Sequence, residues 1–529
     1  MKVDCYPISL LPRQTRLFLD YASSREPIAP FFVSTPWSQE WRNAAPQQDA
    51  RLRDAVADAL REQNLSWSAG AKTIANIDRL RNGAGAVVGG QQVALFGGPL
   101  FTVLKAATVI DRAQASGAVP IFWLASEDHD LAEANHVTLP GRHALQTVRL
   151  EPETPHAGQP VGALTLGMQV TAVVDRAAEL IGGTPEFDLL AASYTPDATF
   201  TSAFARLLVG IFADYGLVVI DASTRAFHAL GAPVLRYAIE HAADLETALH
   251  KRDLLLAERG YHAQVLVAAG SSLLFLIDEE SGARLPLRRK NGSWIAGKQT
   301  YSTEDLLRIL DEAPERLSPN ALLRPVFQDF VLPTMAMIGG PAEVAYFAQS
   351  RVVYEAILGR TTPIFPRLSA TLIEPAIAKV MAQHDLSLTD ILENHPDELA
   401  HRLGARAIPI EGKKRLAATG NALDAELEAL LAWTQSLDAG LGRAAGVAAS
   451  KMRYQMNRLR RLAANYQLQQ EASIRRHIDT LTFNLFPDRH PQERVIGGMA
   501  YVSRYGTALL ETLVEQATQD CPGHKAIWL

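Results

Sequence analysis

The 529-residue chain is too long for one small core and, at a usual domain size of roughly 100–200 residues, suggests about three structural units. Hydrophobic residues make up 48% and charged residues 20%, which excludes disordered and fibrous classes. A formal net charge of -6 and a pI near 6.2 give no global field for phosphate backbones, so nucleic acid is not an expected partner.

Only Cys5 and Cys521 occur, one near each end, which excludes a disulfide scaffold and is what a reducing cytosol permits. The start MKVDCYPISLLPRQTR has no apolar leader core, and no uncharged apolar stretch of 18 residues follows. A cytoplasmic protein without a membrane partner is expected.

Residues 1–80 combine short aromatic segments with a helical stretch from Gln48 to Gln63, where Leu52, Val56 and Leu60 recur every four positions. Next, an apolar strand (86–89), a Gly-rich turn, a helix (99–116) and a second apolar strand (119–125) form a βαβ unit with parallel strands. YGLVVIDAS (215–223) adds a strand between helices expected at 198–214 and 226–257, so the core reads as doubly wound α/β. Short β-type runs separated by SS, EESG and KNG turns over 261–301 predict a small antiparallel insertion. FVLPTMAMIGGPAEVAYFAQ (330–349) resumes the core, and TPIFPRLSATLIE (362–374) supplies a last strand.

From 421 the pattern is helical. Leu423, Leu427, Leu430, Thr434, Leu437 and Leu441 alternate spacings of four and three, and Met452, Met456, Leu459 and Leu462 continue the seam. Gly440, Gly442 and Gly446 favour an antiparallel hairpin over one rod. Such a seam serves either a homodimer or the hairpin's own packing. The basic run KMRYQMNRLRR (451–461) reads as a solvated face or as a dock for an anion.

Ligands of open α/β sheets bind outside the carboxyl ends of the strands, and three clusters fall there. The first, GGQQVALFGGPL, meets neither the P-loop nor the dinucleotide spacing. Its Gly97 and Gly98 precede Pro99 at a helix start whose free N–H groups would suit an anion, unless they serve only the turn. Gln91 and Gln92 add neutral donors and acceptors, and Lys105 lies two turns into the helix, either functional or solvated.

The second cluster is SEDHD. Glu127, Asp128, His129 and Asp130 follow a buried strand, where crowding of carboxylates around a histidine suits general acid/base work. A helix through this segment would align His129, Glu133 and His136 as metal ligands, the basis of a metal-dependent hydrolase reading. Acidic residues complementing a helix dipole are the plain alternative. In the third cluster, Arg324 and Gln328 lie one turn apart, and Gly339, Gly340 and Glu343 open the following helix, with Glu343 either in the site or simply a cap.

The segments GGQQVALFGGPLFTVLKA, PIFWLASEDHDLAEANH, LSPNALLRPVFQDFVLPTMAMIGGPAEVAYFAQ, PIFPRLSATLIE and PQERV (491–495) resemble, in order, those of the bacillithiol biosynthesis cysteine-adding enzyme family, the cysteine ligases. The resemblance implies a Rossmann-like core of the nucleotidyltransferase type with connecting-peptide insertions and a coiled-coil domain that forms homodimers. It implies addition of L-cysteine to glucosaminyl malate, with ATP, accompanied by Mg, activating the carboxylate, and no metal of its own. On this basis residues 1–225 form the first part of the core with its N-terminal cap. The insertion is 226–320, the second part of the core 321–415, the hairpin 416–486, and a segment returning to the core 487–529.

The roles implied are an anion held at Gly97 and Gly98, and deprotonation of the sugar ammonium by His129 with Asp128 or Asp130. Substrate is positioned by Gln91, Gln92, Lys105, Glu127, His136, Arg324, Gln328, Gly339, Gly340 and Glu343. A non-catalytic scaffold built on the coiled coil is the competing non-enzymatic reading.

Overall fold

Strand β1 (Ala86–Gln91) lies at the centre of a five-stranded parallel sheet, with β2 (Val119–Leu124) and β3 (Val218–Asp221) on one side. On its other side lie β4 (Thr334–Gly339) and β5 (Ile364–Pro366). The order β5-β4-β1-β2-β3 is the Rossmann arrangement, and the chain reverses its direction of travel between β1 and β4. The strands are near-continuous apolar runs because helices cover both faces. Helix α1 (Phe101–Ser116) makes the first crossover, and α2 (Arg324–Val331) and α3 (Pro341–Leu358) flank β4. The computed structural model describes residues 2–43, 45–141, 144–152, 158–470, 472–518 and 520–529.

The insertion is an antiparallel sheet of Ser271–Ile277, Arg284–Lys290, Ser293–Ala296 and Gln299–Tyr301, with Leu317–Pro319 added beside Ser271–Ile277. Its tight turn pairs Lys290 with Ser293 through Asn291 (φ 51°) and Gly292 (φ 80°), the left-handed conformations a two-residue hairpin demands. Leu274, Leu276 and Trp294 of this sheet share one apolar core with Val88, Ile121 and Trp123 of the parallel strands. The chain accordingly divides into two units, and the larger, Val3–Thr371 with Gln492–Ala526, takes in both core and insertion.

Four details differ from the sequence reading. The single helix expected at 226–257 is three, Arg225–Leu230, Ala232–Glu240 and Ala242–Glu258; Gly231 ends the first where Phe327 leaves no room for a Cβ, and Pro233 starts the second. The stretch 362–374 is two strands, β5 and Ser369–Ile373, and the second joins a separate sheet with the strands Lys2–Tyr6 and His524–Trp528. Cys5 and Cys521, read as cysteines that a reducing cytosol permits, form a disulfide across a sequence separation of 516 residues. Pairing of the two terminal strands brings them within reach, which sequence distance hides. The segment 127–136, expected as a helix if it held a metal, is a loop, the one-turn helix Leu131–Ala134, and the start of the strand His136–Pro140.

The smaller unit contains Leu372–Pro491. Its two long helices, α4 (Ile410–Leu437) and α5 (Ala439–Gln470), turn at Asp438, whose Oδ1 accepts from Gly440 N (2.7 Å) and Leu441 N (2.9 Å). The ion pair Arg453–Asp424 (2.7 Å) fixes their antiparallel alignment. Leu427 and Met456 are buried, whereas Leu430, Trp433, Leu437, Leu459 and Leu462 remain exposed. No helix among the described residues is long and apolar enough to cross a membrane.

Candidate functional site

At the reversal of strand order, the carboxyl ends of β1, β2 and β4 surround a cavity of about 250 Å³. Gly90 lets the β1 backbone lie against β2, since a Cβ there would stand 2.6 Å from Trp123 O. Gly89 leaves room on the α1 side, where a Cβ would stand 2.6 Å from Val109 and 3.4 Å from the Lys105 stem, and Lys105 projects from α1 there, wholly buried. Its Nζ donates to Gly90 O (2.5 Å), Gln91 Oε1 (3.0 Å) and Glu343 Oε2 (2.7 Å). Burial lowers the Lys105 ammonium from its ordinary 10.5, and Glu343 acts against that. Glu343 also accepts from Gly340 N (2.6 Å), so one carboxylate caps α3 and ties β1, α1 and β4 together.

Arg367, just beyond β5, borders the same cavity and is itself held by Glu493, with Nη2 2.6 Å from Oε1 and Nη1 3.2 Å from Oε2. Glu493 further accepts from Ala370 N (2.9 Å) and Ser369 Oγ (3.2 Å); burial would raise its carboxyl, but Arg367, with the Ala370 amide, brings it below its ordinary value. Arg494, Arg324, Gln328, Gln92 and Asp128 complete the charged and amide rim. Gln328 is buried, and its Nε2 donates to Asp329 Oδ1 (2.9 Å).

A second cavity of about 400 Å³ lies between the helix Ala242–Glu258 and the insertion sheet, and it shares Asp128 and Arg324 with the first. The loop after β2 sets this junction. Asp128 O accepts from Val161 N (2.7 Å) and Ser126 O from Gly162 N (2.9 Å), pinning the backbone on both sides of Glu127. His129 lines the second cavity alone, with its Nδ1 3.9 Å from Asp128 Oδ1.

The structure therefore gathers Gln91, Gln92, Lys105, Asp128, Arg324, Gln328, Gly340 and Glu343 around one crevice and puts the other candidates elsewhere. Glu127 points the opposite way from Asp128 and forms a buried ion pair with His228, Oε1 to Nε2 3.0 Å. Asp130 caps the one-turn helix by accepting from Glu133 N (3.3 Å) and borders neither cavity. His136 sits in a hairpin strand opposite Arg149, so it shares no helical face with His129 and Glu133. Among the described residues, no three His, Cys, Asp or Glu side chains are grouped to hold a metal.

Gly97 and Gly98 offer no free donors: Gly97 N donates to Tyr194 Oη (3.1 Å) and Gly98 N to Leu95 O (3.0 Å). The two amides do not serve an anion because the Tyr194 hydroxyl takes one and the short 3-10 turn before α1 takes the other. Gly339 is a strand residue whose O accepts from Arg367 N (2.9 Å), placing Arg367 rather than touching the crevice itself. Residues unmarked by spacing carry much of the site: His228, Arg284, Arg367, Glu493 and Arg494. Only the last three had a signal, since PIFPRLSATLIE, which contains Arg367, and PQERV are among the segments that carry the resemblance.

The comparisons with known proteins agree along the whole chain. Residues 1–368 match the model described as "Bacillithiol biosynthesis BshC, N-terminal Rossmann-like domain", and residues 370–529 match "Bacillithiol biosynthesis BshC, C-terminal coiled-coil domain". The chain belongs to the BshC family. The relative named "Putative cysteine ligase BshC" from Koribacter versatilis is 42% identical over 99% of both chains. That of Solibacter usitatus is 35% identical over 100% of both, and that of Geobacillus kaustophilus 28% identical over 98% of this chain and 99% of its own. The Rossmann-like part of this BshC-family chain thus supplies the whole lining of the second cavity and all but Arg494 of the first, and its relatives bear the name of a ligase.

Proposed function

We propose that the protein joins the carboxyl group of L-cysteine to the amino group of glucosaminyl malate, giving the amide bacillithiol as the last step of that synthesis. The reading is carried by two polar cavities that meet at Asp128 and Arg324 in a chain with full-length similarity to named cysteine ligases. Amide formation needs an amine and a carboxyl carbon held against each other, and adjoining chambers suit one substrate each. The ammonium must lose a proton before it attacks. Asp128 is the carboxylate common to both cavities and acts as the proton acceptor, with His129 beside it to pass the proton outward. Arg324 at the same junction places positive charge where the carboxyl oxygen gains electron density.

The resemblance also implies ATP with Mg to activate the carboxyl. The turn after β1 does not fit a phosphate cradle, because its Gly97 and Gly98 amides are engaged, and no step here runs through a nucleotide. Joining a free carboxylate to an amine expels water and is uphill, so purified protein given both substrates should yield the amide by mass spectrometry when Mg-ATP is supplied as the activating co-reactant and not without one. His129→Ala should lower the rate by at least tenfold and Asp130→Ala should leave it unchanged. Full activity in His129→Ala removes that residue from the mechanism.

We further propose a homodimer through the hairpin. Leu430, Leu437, Leu459 and Leu462 leave an apolar seam exposed on both of its helices. Leu459→Glu should convert a sedimenting dimer to a monomer without loss of helix content, and an unchanged sedimentation coefficient would argue for another interface.

A further inference from the structure

The second cavity is lined by Arg284, Arg288 and Arg324 against the carboxylates Asp128 and Glu246, and Glu246 is taken up by Arg289 and Gly270 N. Arg284 is buried, with its guanidinium 3.8 Å from the Phe275 ring centroid. Its Nε donates to Ser318 Oγ (2.7 Å) and its Nη2 to Pro319 O (2.9 Å). These contacts fix the plane of the group, while Nη1 has no protein acceptor among the described residues.

Arg324 begins α2 and borders the same cavity. Among the described residues its guanidinium makes no hydrogen bond or ion pair, and its Nε is buried without a partner. Burial pushes Arg284 down to about 10 against the pull of Glu127 and, more weakly, Asp128, and the charge of Arg324 adds to the lowering. Glu127 is already bound to His228, which leaves Asp128 as one carboxylate facing two guanidiniums, so the pair keeps a net positive charge. Asn320 spends its Oδ1 on Leu322 N (2.9 Å) and Leu323 N (3.1 Å), which leaves its amide NH₂ as a further donor on this wall.

Two planar forks in one desolvated chamber, one of them aligned by Ser318 and Phe275, are complementary to a carboxylate. We propose that this cavity is a carboxylate subsite, in which Arg284 and Arg324 grip the carboxylate of a small amino acid or of a malyl group. Arg324 then presents the bound group at the junction with the strand-end crevice, and Leu273, Phe275 and Leu287 give its methylene an apolar wall. The choice of these two ligands rests on the ligase reading; the site itself rests on the two guanidiniums.

The test is calorimetric titration of the full-length protein, under reducing conditions, with L-cysteine and L-malate and with their carboxamides, L-cysteinamide and malamide. At least one acid should bind, its amide at least tenfold more weakly, and the acid that binds identifies the source of the carboxylate. Arg324→Gln and Arg284→Lys should each raise its Kd tenfold or more, while Arg288→Gln at the exposed edge should leave it within twofold. The amide comparison needs no variant and stands even if Arg284→Lys fails to fold. Absence of binding by both acids, or an unchanged Kd in a folded Arg284→Lys variant, overturns the subsite, because Arg284 borders only this cavity of the two. Binding that depends on both arginines in a protein that makes no amide keeps the subsite and rejects the ligase reading.

Discussion

Asp128→Asn should lower kcat by roughly 10²- to 10⁴-fold, the usual contribution of a positioned proton acceptor. The substitution keeps the shape of the side chain and removes its negative charge and with it the capacity to take a proton. Its effect on folding should be small, because the Asp128 side chain accepts one weak hydrogen bond, from Asp130 N at 3.3 Å, and is partly exposed. The loop is instead held by backbone bonds, Val161 N to Asp128 O and Gly162 N to Ser126 O, which the variant retains. Steady-state kinetics with a urea unfolding curve separate the two quantities. A variant as stable as the parent but slow supports the assignment; one that turns over normally assigns proton transfer elsewhere, and His129 is the neighbour then to be examined.

The crevice was legible because its three walls follow one rule. An apolar run long enough to be a buried parallel strand ends in polar or glycine-rich residues, and all such ends lie on one side of the sheet. GGQQ, SEDHD and IGGPAE obey it and converge. What spacing could not supply is the side to which each residue of a loop points. Glu127 and Asp128 are adjacent and chemically alike, yet one is buried against His228, 101 positions later, and the other borders both cavities.

Lys105 was ambiguous for the same reason. Its site character comes from Gly89 and Gly90 making room and from Glu343 arriving from a distant helix. The metal reading failed on a local conflict: Asp130 starts a helix that Asn135 ends after one turn, and HVTLP then alternates as a strand. Arg367 and Glu493 are joined across 126 residues, a pairing that no periodicity encodes.

His228→Gln should destabilise the larger unit by about 3–5 kcal/mol, the usual cost of leaving one member of a buried ion pair behind. Both imidazole nitrogens face acceptors, Nδ1 with Pro314 O at 2.9 Å and Nε2 with Glu127 Oε1 at 3.0 Å, so the doubly protonated ring satisfies both. Burial alone would lower the His228 pKa, but the Glu127 hydrogen bond and charge together with Pro314 O raise it above its ordinary 6.5. Burial alone would raise the Glu127 pKa, and His228, with Arg284 and Arg324 beyond it, brings it below its ordinary 4.5.

The signs follow by linkage. The raised histidine contributes stability that is complete below about pH 6.5 and lost as pH rises through its folded value. The lowered carboxyl contributes stability present above about pH 4.5 and lost as pH falls through its folded value. The pair therefore stabilises most between those limits, and the gap between parent and His228→Gln in urea unfolding should be wider at pH 5.5–6.5 than at pH 9. An equal gap at both would mean that the ring is neutral and only its shape matters. Because backbone bonds to Ser126 O and Asp128 O hold the loop on both sides of Glu127, kcat of the folded His228→Gln protein should change less than in Asp128→Asn.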